Sequence, residues 1–170
     1  MNAKQFIKLL LILCFAFAIS YGLLSISNGT AATVFDEMLT AFLVMATLLA
    51  AMSAAMFSYL DNISKELTEL RNEVKKPAYV VAHQKLSELK KEVLYNGGLI
   101  VGLFLLERSI RGISIYLLMH LLADQAVHVT YISTSLRVAL FAASVWAATI
   151  QLKGFIVAVD LRDVIADGRK

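Results

Sequence analysis

Two long stretches without a charged residue constrain the fold of this chain more than any other feature. Residues 9–35 and residues 38–60 contain no Asp, Glu, Lys or Arg. An uncharged apolar run of about 18 residues or more is long enough for a helix that crosses a bilayer. Hydrophobic residues make up 59% of the chain, whereas soluble domains contain about 45–50%. The sequence therefore predicts an all-α integral membrane protein.

Four apolar segments predict a polytopic protein with four transmembrane helices. We place these helices at residues 7–26, 37–60, 97–123 and 133–152, with breaks at residues 28–30 and 124–130. The predicted organisation is transmembrane helices 1 and 2 in residues 1–60, a polar connector in 61–96, transmembrane helices 3 and 4 in 97–152, and a tail in 153–170. The connector is the one long polar segment between predicted spans.

The distribution of lysine and arginine predicts the orientation of the spans. Two of these residues lie at the N-terminal end, seven lie in the connector and four follow the fourth span, whereas the two short breaks contain none. Positively charged residues are retained on the cytoplasmic side of a membrane. We therefore expect a multi-pass protein of the inner (plasma) membrane with the connector and both termini in the cytoplasm.

The connector carries two runs of apolar residues at heptad spacing. The first run is Leu60, Ile63, Leu67, Leu70 and Val74, and the second is Tyr79, Ala82, Leu86, Leu89 and Val93. This spacing is typical of helices that pack along a coiled-coil seam. Pro77 lies between the runs, where a helix must stop or restart. The pattern predicts a cytoplasmic antiparallel helical hairpin between transmembrane helices 2 and 3.

Two interpretations of this hairpin remain open at the sequence level. The two arms either pack only on each other, or they also dock another protein through the seam and the tip. The candidate docking residues are Leu67, Leu70, Lys75, Lys76, Leu86 and Leu89. Acidic and basic residues are nearly balanced along the arms, which is typical of a solvated surface. We therefore expect no direct binding of nucleic acid.

The third apolar segment contains charged residues near its middle. Glu107, Arg111 and Ser114 share one helix face, and Arg108 lies at its edge. A lone charge at this depth costs at least about 2.5–3.5 kcal/mol. We expect Glu107 and Arg111 to form an intrahelical ion pair. Arg108 could pair with backbone carbonyls, water, a lipid phosphate, or Glu107 of a neighbouring copy in a homo-oligomer. Arg137 is expected to reach the membrane surface.

This charged face has two interpretations. It lines a water-filled pore, in which arginines favour anions, or it forms a structural network that fixes helix register. Small residues at a spacing of four indicate separate helix-packing faces. They are Ala46, Ala50 and Ala54 in the second span and Ala139, Ala143 and Ala147 in the fourth.

The sequence contains no motif that indicates catalysis. No phosphate-binding loop, serine–histidine motif or zinc motif is present, so we expect a protein that is not an enzyme and needs no cofactor or metal. The first hypothesis is an oligomeric sensor or scaffold subunit that docks a soluble cytoplasmic effector through the hairpin, in envelope sensing or antiphage defence. The alternative is a homo-oligomeric ion channel or pore lined by helix 3. In both cases the partners include membrane lipid and further copies of the chain.

Overall fold

The described part of the chain is entirely helical. The computed structural model describes residues 3–73 and 77–167, which form four α-helices and no strand. The helices are α1 (Ala3–Ile26), α2 (Ala31–Glu73), α3 (Pro77–Leu118) and α4 (Ala123–Asp167). The predicted all-α class is confirmed.

Three of the four described helices are long and apolar enough to cross a membrane. The qualifying segments are Lys4–Ile26 of α1, Ala31–Glu69 of α2 and Gln125–Asp160 of α4, with mean hydropathies of 2.5, 2.0 and 1.5. α3 carries Glu107, Arg108 and Arg111 among its apolar residues and does not belong to this set. Length and composition therefore support a membrane protein through α1, α2 and α4.

The helix bounds differ from the predicted spans at the turn between α3 and α4. α3 ends at Leu118, and α4 begins at Ala123 rather than at Ser133. The predicted break at residues 124–130 is wrong, since these residues are helical. They mix polar residues with Ala126, Val127 and Val129 and include neither glycine nor proline, and polar residues alone do not interrupt a helix.

A tight turn joins α1 to α2 where the sequence predicted a break. Asn28 and Gly29 adopt left-handed backbone conformations, with φ of 49° and 84°, as is common after the C-terminus of a helix. The amide of Gly29 donates to the carbonyl of Leu24 at 2.9 Å. A side chain at Gly29 would also lie 3.1 Å from the hydroxyl of Tyr131, so glycine suits this position for two reasons.

α4 is the central helix and contacts the other three. Leu140 and Ala143 of α4 form a buried apolar cluster with Leu9 of α1 and Leu103 of α3. α1 packs mainly on α4, although α2 follows α1 in the chain. In this arrangement α2, α3 and α4 each contact the other two.

The polar halves of α2 and α3, which we call the arms (residues 61–73 and 77–96), pack on each other. Ile63 and Leu67 of α2 and Leu86 and Val93 of α3 lie in one buried apolar cluster. Ala158 of α4 belongs to the same cluster. The heptad seam is therefore closed within one chain, and α4 contributes to it.

The alanine residues of the two predicted packing faces are buried to different degrees. Ala139, Ala143 and Ala147 of α4 are buried, as is Ala46 of α2. Ala50 is half-buried and Ala54 is exposed. The alanine row of α4 therefore packs inside the chain, whereas the row of α2 is only partly covered within it.

α3 packs tightly on α2 at Gly97, which supplies a first prediction. A Cβ atom at Gly97 would lie 3.0 Å from the Cβ of Ser53, whereas a Cβ at Gly98 would meet nothing within 4 Å. Because a Cβ cannot move without its backbone, we expect Gly97→Ala to reduce the free energy of unfolding by about 1–3 kcal/mol.

Gly98→Ala is the matched control. Alanine is favoured over glycine in a helix by about 0.8–1 kcal/mol, so this variant should be neutral or slightly stabilising. Denaturation in detergent micelles, followed by circular dichroism, measures both variants. Equal stability of the two variants would contradict the close packing at Gly97.

Candidate functional site

The most concentrated group of charges links α2, α3 and α4 in the half of the helices that lies opposite the arms. Glu107 of α3 is fully buried, and its Oε1 accepts a hydrogen bond from Nε of Arg137 at 2.7 Å. Arg137 lies on α4 and is only 7% exposed. The expected ion pair of Glu107 with Arg111 is replaced by this contact between helices. The expectation that Arg137 reaches the membrane surface is wrong, because its side chain points into the protein.

Asp36 and Arg108 extend this ion pair. Nη1 of Arg137 lies 3.3 Å from Oδ1 of Asp36 on α2. Nε of Arg108 lies 3.5 Å from Oε2 of Glu107. Arg108 therefore has a carboxylate in its own chain and does not require Glu107 of a neighbouring copy.

We call Asp36, Glu107, Arg108, Arg111 and Arg137 the charge network. It contains three arginines and two carboxylates, which leaves one formal positive charge. Arg111 is exposed, and within the described ranges no carboxylate oxygen lies within 4.0 Å of its guanidinium. The unmatched charge therefore resides at Arg111.

A polar cavity of about 310 Å³ adjoins the charge network. Arg111, Arg137 and Asp36 contribute to its wall, together with hydroxyl groups of α3 and α4. Ser114 lies in this wall and donates to Oγ of Ser133 at 2.9 Å. The sequence predicted four residues on the charged face of α3. Three of them contact other side chains, namely Glu107, Arg108 and Ser114, whereas Arg111 lies in the wall of the cavity.

Sequence reasoning missed a second polar contact between helices. Nε2 of Gln151 on α4 donates to Oγ of Ser53 on α2 at 2.7 Å, and both residues are buried. Its Oε1 is buried without a partner among the described residues. A glutamine inside an apolar span was the available signal, since such a residue requires a hydrogen-bond partner.

The candidate docking residues of the arms lie mostly in the seam. Leu67 and Leu86 are fully buried, and Leu89 packs against the same cluster. Lys75 and Lys76 lie outside the described residues, as does the side chain of Leu70. The buried leucines are therefore not available to a partner while the arms are closed.

Exposed apolar residues nevertheless occur near the far end of the arms. Val80 is 47% exposed and Val81 is 54% exposed, about one helical turn after Pro77. The base of the arms is held differently, since Nζ of Lys90 on α3 lies 2.7 Å from Oδ1 of Asp61 on α2. The arms are therefore held together by an ion pair at their base, and near their far end they expose the apolar side chains of Val80 and Val81.

Comparison with known proteins finds no matching protein family, no matching curated protein and no matching solved structure.

Proposed function

We propose that this protein is a non-enzymatic scaffold or sensor subunit of a bacterial inner membrane. Four transmembrane helices anchor it, copies associate within the membrane, and the arms form a cytoplasmic hairpin that holds a soluble effector protein. Envelope sensing and antiphage defence are settings in which small membrane proteins of this layout occur, which is an analogy of architecture.

The direction of its side chains supports α3 as a transmembrane helix in addition to α1, α2 and α4. Residues 97–118 cover about 33 Å at 1.5 Å per residue, which matches a hydrocarbon core of about 30 Å. Glu107 is buried against α4, whereas Val101, Leu105, Leu106 and Ile113 are exposed. A helix with its carboxylate inward and aliphatic residues outward suits lipid contact.

Contacts at the base of the arms support a single cytoplasmic side. Nε2 of Gln5 near the start of α1 lies 3.4 Å from Oε1 of Glu92 in the arms. Ala158 near the end of α4 packs in the seam of the arms. Both ends of the described chain therefore lie beside the arms, and the excess of lysine and arginine in these segments favours the cytoplasm.

The single observation that carries the docking proposal is a closed seam with exposed apolar residues beyond it. Because Leu67 and Leu86 are fully buried, the arms hold a fixed shape that can present Val80 and Val81. The proposed occupant is a soluble protein with an apolar groove, since apolar side chains on one helix face can lie in such a groove of a partner.

The pore alternative receives less support from the charge network. Groups that line a conducting path must remain available to ions and water. Arg137 is instead paired with both Glu107 and Asp36, which supports a structural role for most of the charge network. Anion current from the reconstituted protein that depends on Arg111 would favour the pore.

The docking test uses the full-length protein with a photo-crosslinking residue at position 81. We expect a soluble protein to crosslink at this position, and Val80→Lys with Val81→Lys to reduce the yield at least tenfold by removing the apolar contact. Gln84→Lys, at an exposed position one turn further along the same arm, is the control and should retain the product. In both lysine variants, and in the wild-type reference against which their yields are compared, the crosslinker stands at position 78.

The readout separates docking from folding. Circular dichroism and the oligomeric size should be unchanged in both lysine variants, because the substituted side chains are exposed. A product that survives Val80→Lys with Val81→Lys, or the absence of any product from the wild-type protein, would overturn docking at this end of the arms.

A further inference from the structure

Arg111 is the charged residue that the rest of the charge network does not satisfy. The carboxylate of Glu107 is engaged by Arg137 and Arg108, and that of Asp36 is engaged by Arg137. Among the described residues no carboxylate remains within ion-pair distance of Arg111. An unmatched charge in an apolar helix is costly, so a mobile anion that reached Arg111 would be bound favourably.

The cavity beside Arg111 has the chemistry of an oxyanion site. Its wall includes Arg111, Arg137 and Thr134. Thr130 and Ser133 also line it, but their hydroxyls donate to the backbone carbonyls of Ala126 and Thr130. Arginine donates two parallel hydrogen bonds to a phosphate or carboxylate, and the hydroxyl of Thr134 can donate a further one. Its volume of about 310 Å³ falls at the lower end of the range of ligand pockets, about 300–1,000 Å³.

One carboxylate in the wall opposes the binding of an anion. Asp36 contributes to the cavity, but its Oδ1 lies 3.3 Å from Nη1 of Arg137. That contact offsets the charge of Asp36 and draws the carboxylate toward α4. The arginines therefore exceed the free negative charge at the cavity, and Asp36 limits the affinity rather than preventing binding.

The surroundings of the cavity indicate the source of the oxyanion. Ile115 and Leu118 complete the wall, and Tyr116, Leu117 and Met119 on the last turn of α3 and just beyond it are exposed. A polar interior beside exposed apolar side chains at a helix end matches an amphipathic ligand. A phospholipid would place its phosphate at the arginines and its acyl chains along α3.

We propose that this cavity binds a phosphate-class oxyanion through Arg111, supplied by the headgroup of an anionic phospholipid. The site is separate from the arms and goes beyond the docking proposal. It also gives Arg111 a role other than conduction, since a bound lipid headgroup neutralises the charge in place. Either leaflet can supply such a headgroup, so the inference holds whichever way the chain crosses the membrane.

The experiment measures retention of phosphatidylglycerol by full-length protein purified from phosphatidylcholine membranes that contain a defined fraction of it. Native mass spectrometry counts the bound anionic lipids in the wild type, in Arg111→Gln and in Lys153→Gln. Lys153 is exposed on α4 far from the cavity, and its loss lowers the net charge equally. We expect Arg111→Gln to lower the affinity at least tenfold and Lys153→Gln to leave it within twofold.

Two further variants test the geometry and the sign of the effect. Arg111→Lys keeps the charge but loses the planar fork, so its affinity should be intermediate. Asp36→Asn removes the opposing charge, so it should bind phosphatidylglycerol at least as tightly as the wild type. Arg111→Lys retains a cation and the fold, which keeps the test informative where Arg111→Gln fails to fold.

A second arm distinguishes the lipid from the free ion. Lipid-depleted protein in neutral detergent is titrated with inorganic phosphate, followed by ³¹P NMR. We expect no saturable binding below millimolar phosphate and no displacement of phosphatidylglycerol. Displacement by phosphate that depends on Arg111 would replace the lipid by the free ion as the source. Equal lipid retention in wild type and Arg111→Gln, with no phosphate bound, would overturn the site.

Discussion

Replacing Glu107 with alanine is expected to lower the free energy of unfolding by about 3–5 kcal/mol, the usual cost of removing one partner of a buried ion pair. The reason is that Arg137 is 7% exposed and its Nε donates to Glu107 at 2.7 Å. Without Glu107, the guanidinium keeps only the longer contact to Asp36 at 3.3 Å. Titration of the protein in mixed micelles with sodium dodecyl sulfate, followed by circular dichroism, measures the change.

Two variants show whether the loss comes from the unpaired charge. Ser109→Ala changes an exposed residue two positions away on α3 and should alter stability by less than about 0.5 kcal/mol. The double variant Glu107→Leu with Arg137→Met removes both charges, and apolar replacement of a buried pair is often close to neutral. The stability lost in the double variant could equal the sum of the losses in Glu107→Leu alone and Arg137→Met alone. In that case the ion pair would not explain the stability of this region.

The second large effect is expected in the seam of the arms. Leu67 and Leu86 are fully buried in one cluster, and a buried leucine replaced by alanine costs about 2–5 kcal/mol. We expect Leu67→Ala and Leu86→Ala to loosen the arms while the membrane-embedded helices remain folded. Hydrogen exchange followed by mass spectrometry should show faster exchange in residues 61–69 and 80–93.

The control for the seam is Thr68→Ala. Thr68 is exposed, and its hydroxyl donates only to the carbonyl of Ser64 in the same helix, so hydrogen exchange should remain close to that of the wild type. Exchange around the charge network is a second reference and should be unchanged in all three variants. Unchanged exchange of the arms in Leu67→Ala would mean that the seam contributes little to their stability.

The helical class and the seam could be predicted because the first depends on local composition and the second on local periodicity. Charge-free runs indicate apolar helices from their composition alone, and heptad spacing places Leu67 and Leu86 on the faces that meet in the structure. The turn at Asn28 and Gly29 was also readable, since both residues tolerate a left-handed backbone. The turn between α3 and α4 was misplaced because residues 124–130, which were predicted as the break, are compatible with a helix.

The partner of Glu107 could not be predicted, because it depends on depth and on rotation about two helix axes. The predicted fourth span begins at Ser133, and a span that begins there has Arg137 close to the membrane surface. α4 begins at Ala123, so Arg137 lies about 21 Å along that helix at 1.5 Å per residue. Glu107 lies about 16 Å from the end of α3 on the same measure, which brings the two residues to a similar level.

The unbroken course of α2 has a mechanical consequence. α2 runs from Ala31 to Glu73 without a glycine or a proline, the residues at which helices most often kink. Its 43 residues measure about 64 Å, with Asp36 near one end and Leu67 near the other. A straight helix of this length can act as a lever, so a small change of tilt at Asp36 would produce a larger displacement at the end in the arms.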